Sequence, residues 1–317
     1  MAKQGPRFMP PRRSVFVEKD KINPTIAWES YSASPDSQSR SENPIIVLHG
    51  FLGCREEMRP ISEILARELK RDVYLLDLRN HGASGTKWRH DYLQLALDVQ
   101  GFTRDHELEN VTLVGTQMGA KTAMTLALYN QDIVSNIVAI DSSPAWKELP
   151  TCYTRWLDAY KQVLKMRLEK ISWAARVMFY WDSEKELRTF LKRNLELKPD
   201  HPFVRPRIPQ NILWQARDAM AEFPFKPHEL NKFHGPALFL RSRNSYYIPG
   251  SEGEDAISQF FPTSHIKDLD YEGIHMATTA PEQVAQAAVE FLRNPLEYLV
   301  ENQQVQPVGG KDLAWQV

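Results

Sequence analysis

Residues 111–124, VTLVGTQMGAKTAM, run from an apolar β-type stretch (Val111–Val114) through Gly115-Thr116-Gln117-Met118-Gly119 into a helix-forming segment. Two glycines four residues apart let a chain turn sharply from strand to helix and hold the side chain between them out of the sheet. In the G-x-S-x-G form of this turn the central side chain is a nucleophile. Here it is Gln117, whose carboxamide has no lone pair comparable to an alkoxide and no proton for a histidine to remove. The stretch therefore predicts the backbone of an acyl-transfer site without its reactive atom.

The flanking sequence places this turn in an α/β framework. Ile45–Leu48 reads as a short buried strand ending in His49-Gly50, Ile61–Leu69 as a helix, Val73–Leu78 as a strand, Asp91–Thr103 as an amphipathic helix, Ala120–Tyr129 as a helix and Ile137–Ile140 as a strand. Continuous apolar strands alternating with helices imply a mostly parallel sheet covered on both faces. The fold expected is an α/β-hydrolase fold. From about Pro144 the pattern changes: Tyr153–Lys170, Glu184–Leu195 and Ile212–Glu222 are helical, with no convincing strand between them. Strands resume at Ala237–Leu240 and His265–Leu269, and Pro281–Leu292 is a last helix. The expected organisation is a basic arm and polar loop (1–43), a core (44–145 and 234–293), an inserted helical lid (146–233) and a polar tail (294–317) tipped by Leu313–Trp315.

With 317 residues, 42% of them hydrophobic, the chain can build one large core. A net charge of −1 gives no bulk attraction to nucleic acid or anionic lipid, so any such contact must be local. Two cysteines, Cys54 and Cys152, make no disulfide framework, and no His/Cys cluster suggests a metal; no cofactor is expected. No apolar run approaches the ~18 residues of a membrane span. Local charge is concentrated in two places. The first 17 residues carry Lys3, Arg7, Arg12 and Arg13 and no acid, a pattern that suits a mitochondrial transit peptide, although Pro6, Pro10 and Pro11 oppose the helix such a peptide forms. Residues 155–207 hold 13 Lys/Arg against 7 Asp/Glu together with Trp156, Trp173 and Trp181, a solvated face that would also serve an acidic protein or RNA.

Around the turn, Phe51 and Leu52 in the His49-Gly50 loop and Met118 after the elbow are the positions whose backbone N–H groups would form an oxyanion hole. Asp141 ends the strand Ile137–Ile140, where catalytic carboxylates collect in open parallel sheets, and a loop-capping role is the alternative. His275 follows the last strand, in the chain order nucleophile, acid, histidine. Arg79 and His81, in Asp77–Ser84, read as loop-holding residues, and Cys54 as an inert thiol rather than a substitute nucleophile.

HGFLG (49–53), DLRNHGAS (77–84), AKTAM (120–124) and AIDSSP (139–144) together resemble the mitochondrial alpha/beta-hydrolase domain-containing protein eleven group and its fungal relatives, which include ethanol acetyltransferases, over residues 44 to 293. The resemblance implies a serine at position 117, a histidine at 116, an acid at Asp141 and a base histidine at 274. This chain has Gln117, Thr116 and Ile274, keeps Asp141, and has His275 one residue late. A single engineered knockout would leave 116 and 274 as histidines, so the several departures point to a natural relaxation of the catalytic requirement. The resemblance and the basic N-terminus imply a mitochondrial location.

The reading preferred is a pseudoenzyme that acts as a binding or structural subunit of a mitochondrial assembly, with protein partners and an RNA contact through the arm or lid as its surfaces. Two others stay open. One is an ester or thioester hydrolase or acyltransferase of altered chemistry, using Asp141 and His275 on a water. The other is a sensor that holds a small acyl ligand in the old pocket.

Overall fold

The computed structural model describes residues 13–17, 25–32, 42–181, 190–226, 229 and 231–302. The basic arm before Arg13, most of the polar loop, the first half of the helix expected over Glu184–Leu195 and the Leu313–Trp315 tip lie outside the described residues.

The elements run β1 (Arg13–Val17), β2 (Ala27–Tyr31), β3 (Ile45–Leu48), α1 (Arg59–Leu69), β4 (Val73–Leu76), α2 (Tyr92–Asp105), β5 (Val111–Thr116), α3 (Met118–Tyr129), β6 (Val134–Ile140), α4 (Thr151–Met166), α5 (Ile171–Trp181), β7 (Leu195–Glu196), β8 (Arg205–Pro206), α6 (Gln210–Gln215), α7 (Arg217–Ala221), β9 (Ala237–Arg243), α8 (Gly250–Phe260), β10 (Ser264–Glu272), α9 (Met276–Thr279), α10 (Pro281–Arg293) and α11 (Pro295–Asn302). Eight strands form one sheet in the order β1-β2-β4-β3-β5-β6-β9-β10. β2 is antiparallel to both neighbours, and from β4 to β10 every pairing is parallel.

The period-2 geometry of a strand explains why the central ones are apolar throughout. Ile46 and Leu48 of β3 pack with α2 and α3 into one core, while Ile45 and Val47 face the opposite core with α1 and α10. Leu113 and Val114 of β5 divide the same way. Both faces are covered, so neither set of side chains can be polar. Asp91 caps α2 by accepting from Gln94 N at 3.0 Å, and Lys70 ends α1 in a left-handed turn.

Three local features go beyond the sequence reading. Residues 250–260, to which that reading assigns no element, form α8; Pro249, Gly250 and Gly253 hide the helical pattern, and a Cβ on Gly253 would reach Ile248 backbone at 3.0 Å. The stretch read as strandless contains the two-residue pair β7–β8, too short to leave a periodic signal. The start of the expected polar tail is α11, which turns Leu299 into the α10 core. The loops that follow β3, β5, β6, β9 and β10 lie at the same end of a parallel sheet, and this places the elbow, Asp141 and His275 on one rim.

Candidate active site

The elbow exists in full as backbone. Gln117 sits between β5 and α3 with φ 48° and ψ −108°, a conformation few non-glycine residues adopt. The turn requires both flanking glycines. A Cβ on Gly119 would lie 2.4 Å from Leu48 O, and one on Gly115 would lie 2.4 Å from the Gly119 carbonyl carbon.

The carboxamide of Gln117 is buried and engaged at both ends. Its Nε2 donates to the carbonyl oxygen of Ile274, and its Oε1 accepts from the Tyr153 hydroxyl at 2.9 Å. The elbow is thus tied to the loop after β10 by a side chain–backbone bond, and to α4 by a tyrosine. Gly50 makes room for this arrangement, since a Cβ there would meet Gln117 Oε1 at 2.7 Å.

Asp141 follows β6 with φ 49° and is buried. Its Oδ1 accepts from Ser242 N at 3.2 Å and Ser242 Oγ at 2.9 Å, and its Oδ2 is buried without a hydrogen bond. Burial pushes its carboxyl above the usual range, and the Ser245 and Ser242 groups partly offset this. Among the described residues no hydrogen bond joins His275 to Asp141 or to Gln117. The His275 ring packs instead against Phe190 and Trp156, with centroids 5.2 and 5.9 Å away. The ring expected from sequence as a displaced base is thus turned toward the helical block, one residue of offset along the chain.

Of the three oxyanion positions, Leu52 must be withdrawn. Its N–H donates to His81 Nε2 at 3.2 Å, so it is not available to a substrate oxygen. Phe51 and Met118 both line a cavity that Gln117, Lys121, Ser142, Tyr153 and Tyr247 also line. The room left in it is about 10 Å³, enough for about one water and too little for an acyl chain.

Beneath the β3 and β4 loops, His49 Nε2 accepts from Leu78 N at 3.0 Å, and His81 Nδ1 bonds Arg79 O at 2.9 Å. His90 stands against His81 with ring centroids 5.4 Å apart, and its Nε2 is buried without a hydrogen bond. Burial lowers all three histidines, His49 to about 4 and His81 to about 3, so they are neutral at physiological pH. Among the described residues no group of His, Cys, Asp and Glu is placed to hold a metal ion. Cys54 is buried beside Glu57, and burial with that carboxyl pushes its thiol up, the opposite of an activated nucleophile.

Two residues of the site have contacts that the sequence does not announce, although Lys121 belongs to the AKTAM motif. Tyr153 reads as one more position of a lid helix, and its contact with Gln117 depends on how α4 crosses the elbow. Lys121, one turn after Gln117, is buried and donates to Ala221 O at 3.1 Å and Glu222 O at 3.0 Å, holding the end of α7; burial lowers its amine to about 7.

The alpha/beta hydrolase fold family matches residues 43–272, most of the sheet together with the helical block. This chain belongs to that family. It is 30% identical over 272 residues to a probable alcohol acetyltransferase of Saccharomyces cerevisiae, covering 80% of this chain and 78% of that one. It is 30% identical over 229 residues to the sn-1-specific diacylglycerol lipase ABHD11 of Xenopus tropicalis, covering 71% and 70%. Among solved structures, a marine microorganism esterase superposes with a TM-score of 0.74 at 25% identity, over 86% of this chain and all of that one. The likeness to the domain-containing protein eleven group and the fungal acetyltransferases, first read from four short motifs, extends over most of the chain.

Proposed function

We propose that the protein is an α/β-hydrolase-fold pseudoenzyme that works by binding, as a subunit of a larger mitochondrial assembly. The observation that carries this reading is the Gln117 carboxamide, bonded to Ile274 O and Tyr153 Oη at the position where acyl transfer needs a free nucleophile. The histidine turned onto Phe190 and Trp156 and the nearly filled cavity support it. The mitochondrial setting rests on the family resemblance and the basic N-terminal arm.

The names of the relatives, an acetyltransferase and a lipase, favour the rival reading of an acyl-handling enzyme. Both activities in this fold use a nucleophile at the elbow with a histidine in reach, and position 117 here offers neither acid proton nor alkoxide. The purified protein should give no burst of nitrophenol from nitrophenyl acetate, and Gln117→Ser should restore little, because no imidazole is hydrogen-bonded to that position. Robust wild-type turnover that is lost in both Asp141→Asn and His275→Ala would overturn the proposal and establish altered chemistry.

A further inference from the structure

Helix α5 is apolar on its solvent side as well as its buried side. In a surface helix the residues at one arc of the 100° wheel are apolar and buried, and the opposite arc is polar. In α5 the buried positions are Ala174 and Met178, while the solvent arc carries Trp173, Phe179 and Tyr180, exposed by 43%, 49% and 88%, with Arg176 between them. An arc of large rings facing water has no folding rationale: it forgoes the burial that stabilises the rest of the helix.

Charge accompanies the rings. Between residues 159 and 181 the chain has five Lys/Arg and one acidic residue, Glu169, in a protein whose net charge is −1. The turn between α4 and α5 presents Lys170 next to the aromatic arc, its ammonium 5.1 Å from the Trp173 ring centroid, while the Arg167 guanidinium lies over the Phe203 ring. Tyr180 projects from the helix almost wholly uncovered. Protein hot spots are seated in well-packed, desolvated pockets. Projecting rings flanked by cations instead suit insertion among lipid headgroups, with the rings at the acyl boundary and the charges at the phosphates. Among the described residues no helix is long and apolar enough to cross a membrane, so such a contact would be peripheral.

We infer that the exposed face of α5 docks the protein onto an anionic lipid bilayer. The inference is independent of whether position 117 supports chemistry. Its test uses the full chain with vesicles of phosphatidylcholine containing about 30% phosphatidylglycerol at about 50 mM salt, and with phosphatidylcholine alone. The protein should float with the anionic vesicles and show a blue-shifted tryptophan emission, and should remain in solution with the neutral ones. Trp173→Ala with Tyr180→Ala should weaken binding by about tenfold or more at unchanged melting temperature, and Lys170→Glu with Arg176→Glu should do the same. Three results would overturn the proposal: no binding to anionic vesicles, binding that survives the aromatic pair of substitutions and so belongs to another basic segment, or a concentration-dependent dimer dissolved by that pair, which would make a second copy the occupant.

Discussion

On the β3–β4 flank of the site, side chains are locked into bonds that the fold cannot release. Asp77 pairs with Arg55 and accepts from Arg55 N and Ala83 N; Arg79 grips Asp98 with two nitrogens; His49 and His81 receive backbone N–H groups. On the β5–β10 flank the elbow backbone is held as tightly, yet the side chains around it bond differently. Gln117 reaches a carbonyl, Ile274 offers its backbone, and the His275 ring lies in the aromatic packing of the helical block. The contrast separates two kinds of constraint. A buried polar group with a structural partner cannot be replaced without leaving that partner unsatisfied. A triad side chain holds little of the fold, so once chemistry is not required its position is open to any residue that satisfies its neighbours.

The largest test of this contrast lies on the rigid flank. Arg79→Ala would leave Asp98, fully buried, without its guanidinium, and should lower stability by about 3–5 kcal/mol in urea denaturation. A loss under about 1 kcal/mol would mean that this flank is no more constrained than the other.

The same flank should respond to acid. His90 is neutral in the folded protein because burial lowers its pKa well below 6.5, whereas in the unfolded chain it protonates near that value. Below pH 6.5 the unfolded state therefore binds the extra proton, and its share of stability falls as pH falls, by about 1.4 kcal/mol per pH unit. His90→Phe removes this group and leaves the raised carboxyls of Glu57, Asp77 and Asp98, which act with the opposite sign, common to both proteins. Relative to wild type, the variant should gain roughly 2 kcal/mol between pH 6.5 and pH 5, read from urea midpoints. An unchanged difference across that range would place a charged or solvated histidine at position 90.

The sheet was legible because its signal is one-dimensional. A strand buried on both faces must be a continuous apolar run, and Ile45–Leu48, Val111–Val114 and Ala237–Leu240 are that. The elbow was legible because its two glycines stand at a fixed spacing within one short stretch, although only Gly115 is demanded by the turn itself and Gly119 by the backbone of Leu48 and His49 at the end of the neighbouring strand. What the sequence did not disclose is long-range. Nothing near Leu52 announces that His81 will take its N–H, and nothing near Tyr153 announces a bond to Gln117 across 36 positions. The direction of His275 depends on α4 and Phe190, which pack over it from more than 80 residues away. α8 failed to register because Gly250 and Gly253, helix-weakening on propensity, are there for close approach and chain reversal.

The smallest expected effect is the most specific to the rebuilt flank. Gly50 belongs to the loop after β3 and Gln117 to the elbow, and the two meet where a Cβ at position 50 would lie 2.7 Å from Gln117 Oε1. Gly50→Ala should therefore destabilise the wild type by about 1–3 kcal/mol through overpacking. In a Gln117→Ser background the opposing atom is gone, and the same substitution should cost less, with a coupling of about 1 kcal/mol in the double-mutant cycle. Gly119→Ala supplies the control, because its Cβ would strike Leu48 O, backbone that no change at position 117 removes. Coupling at Gly50 with none at Gly119 would show that the carboxamide is packed into the old site as a structural element. Equal behaviour of the two glycines would mean that the Gln117 side chain moves away freely, and the distinction between a fixed and a rebuilt flank would fail at its centre.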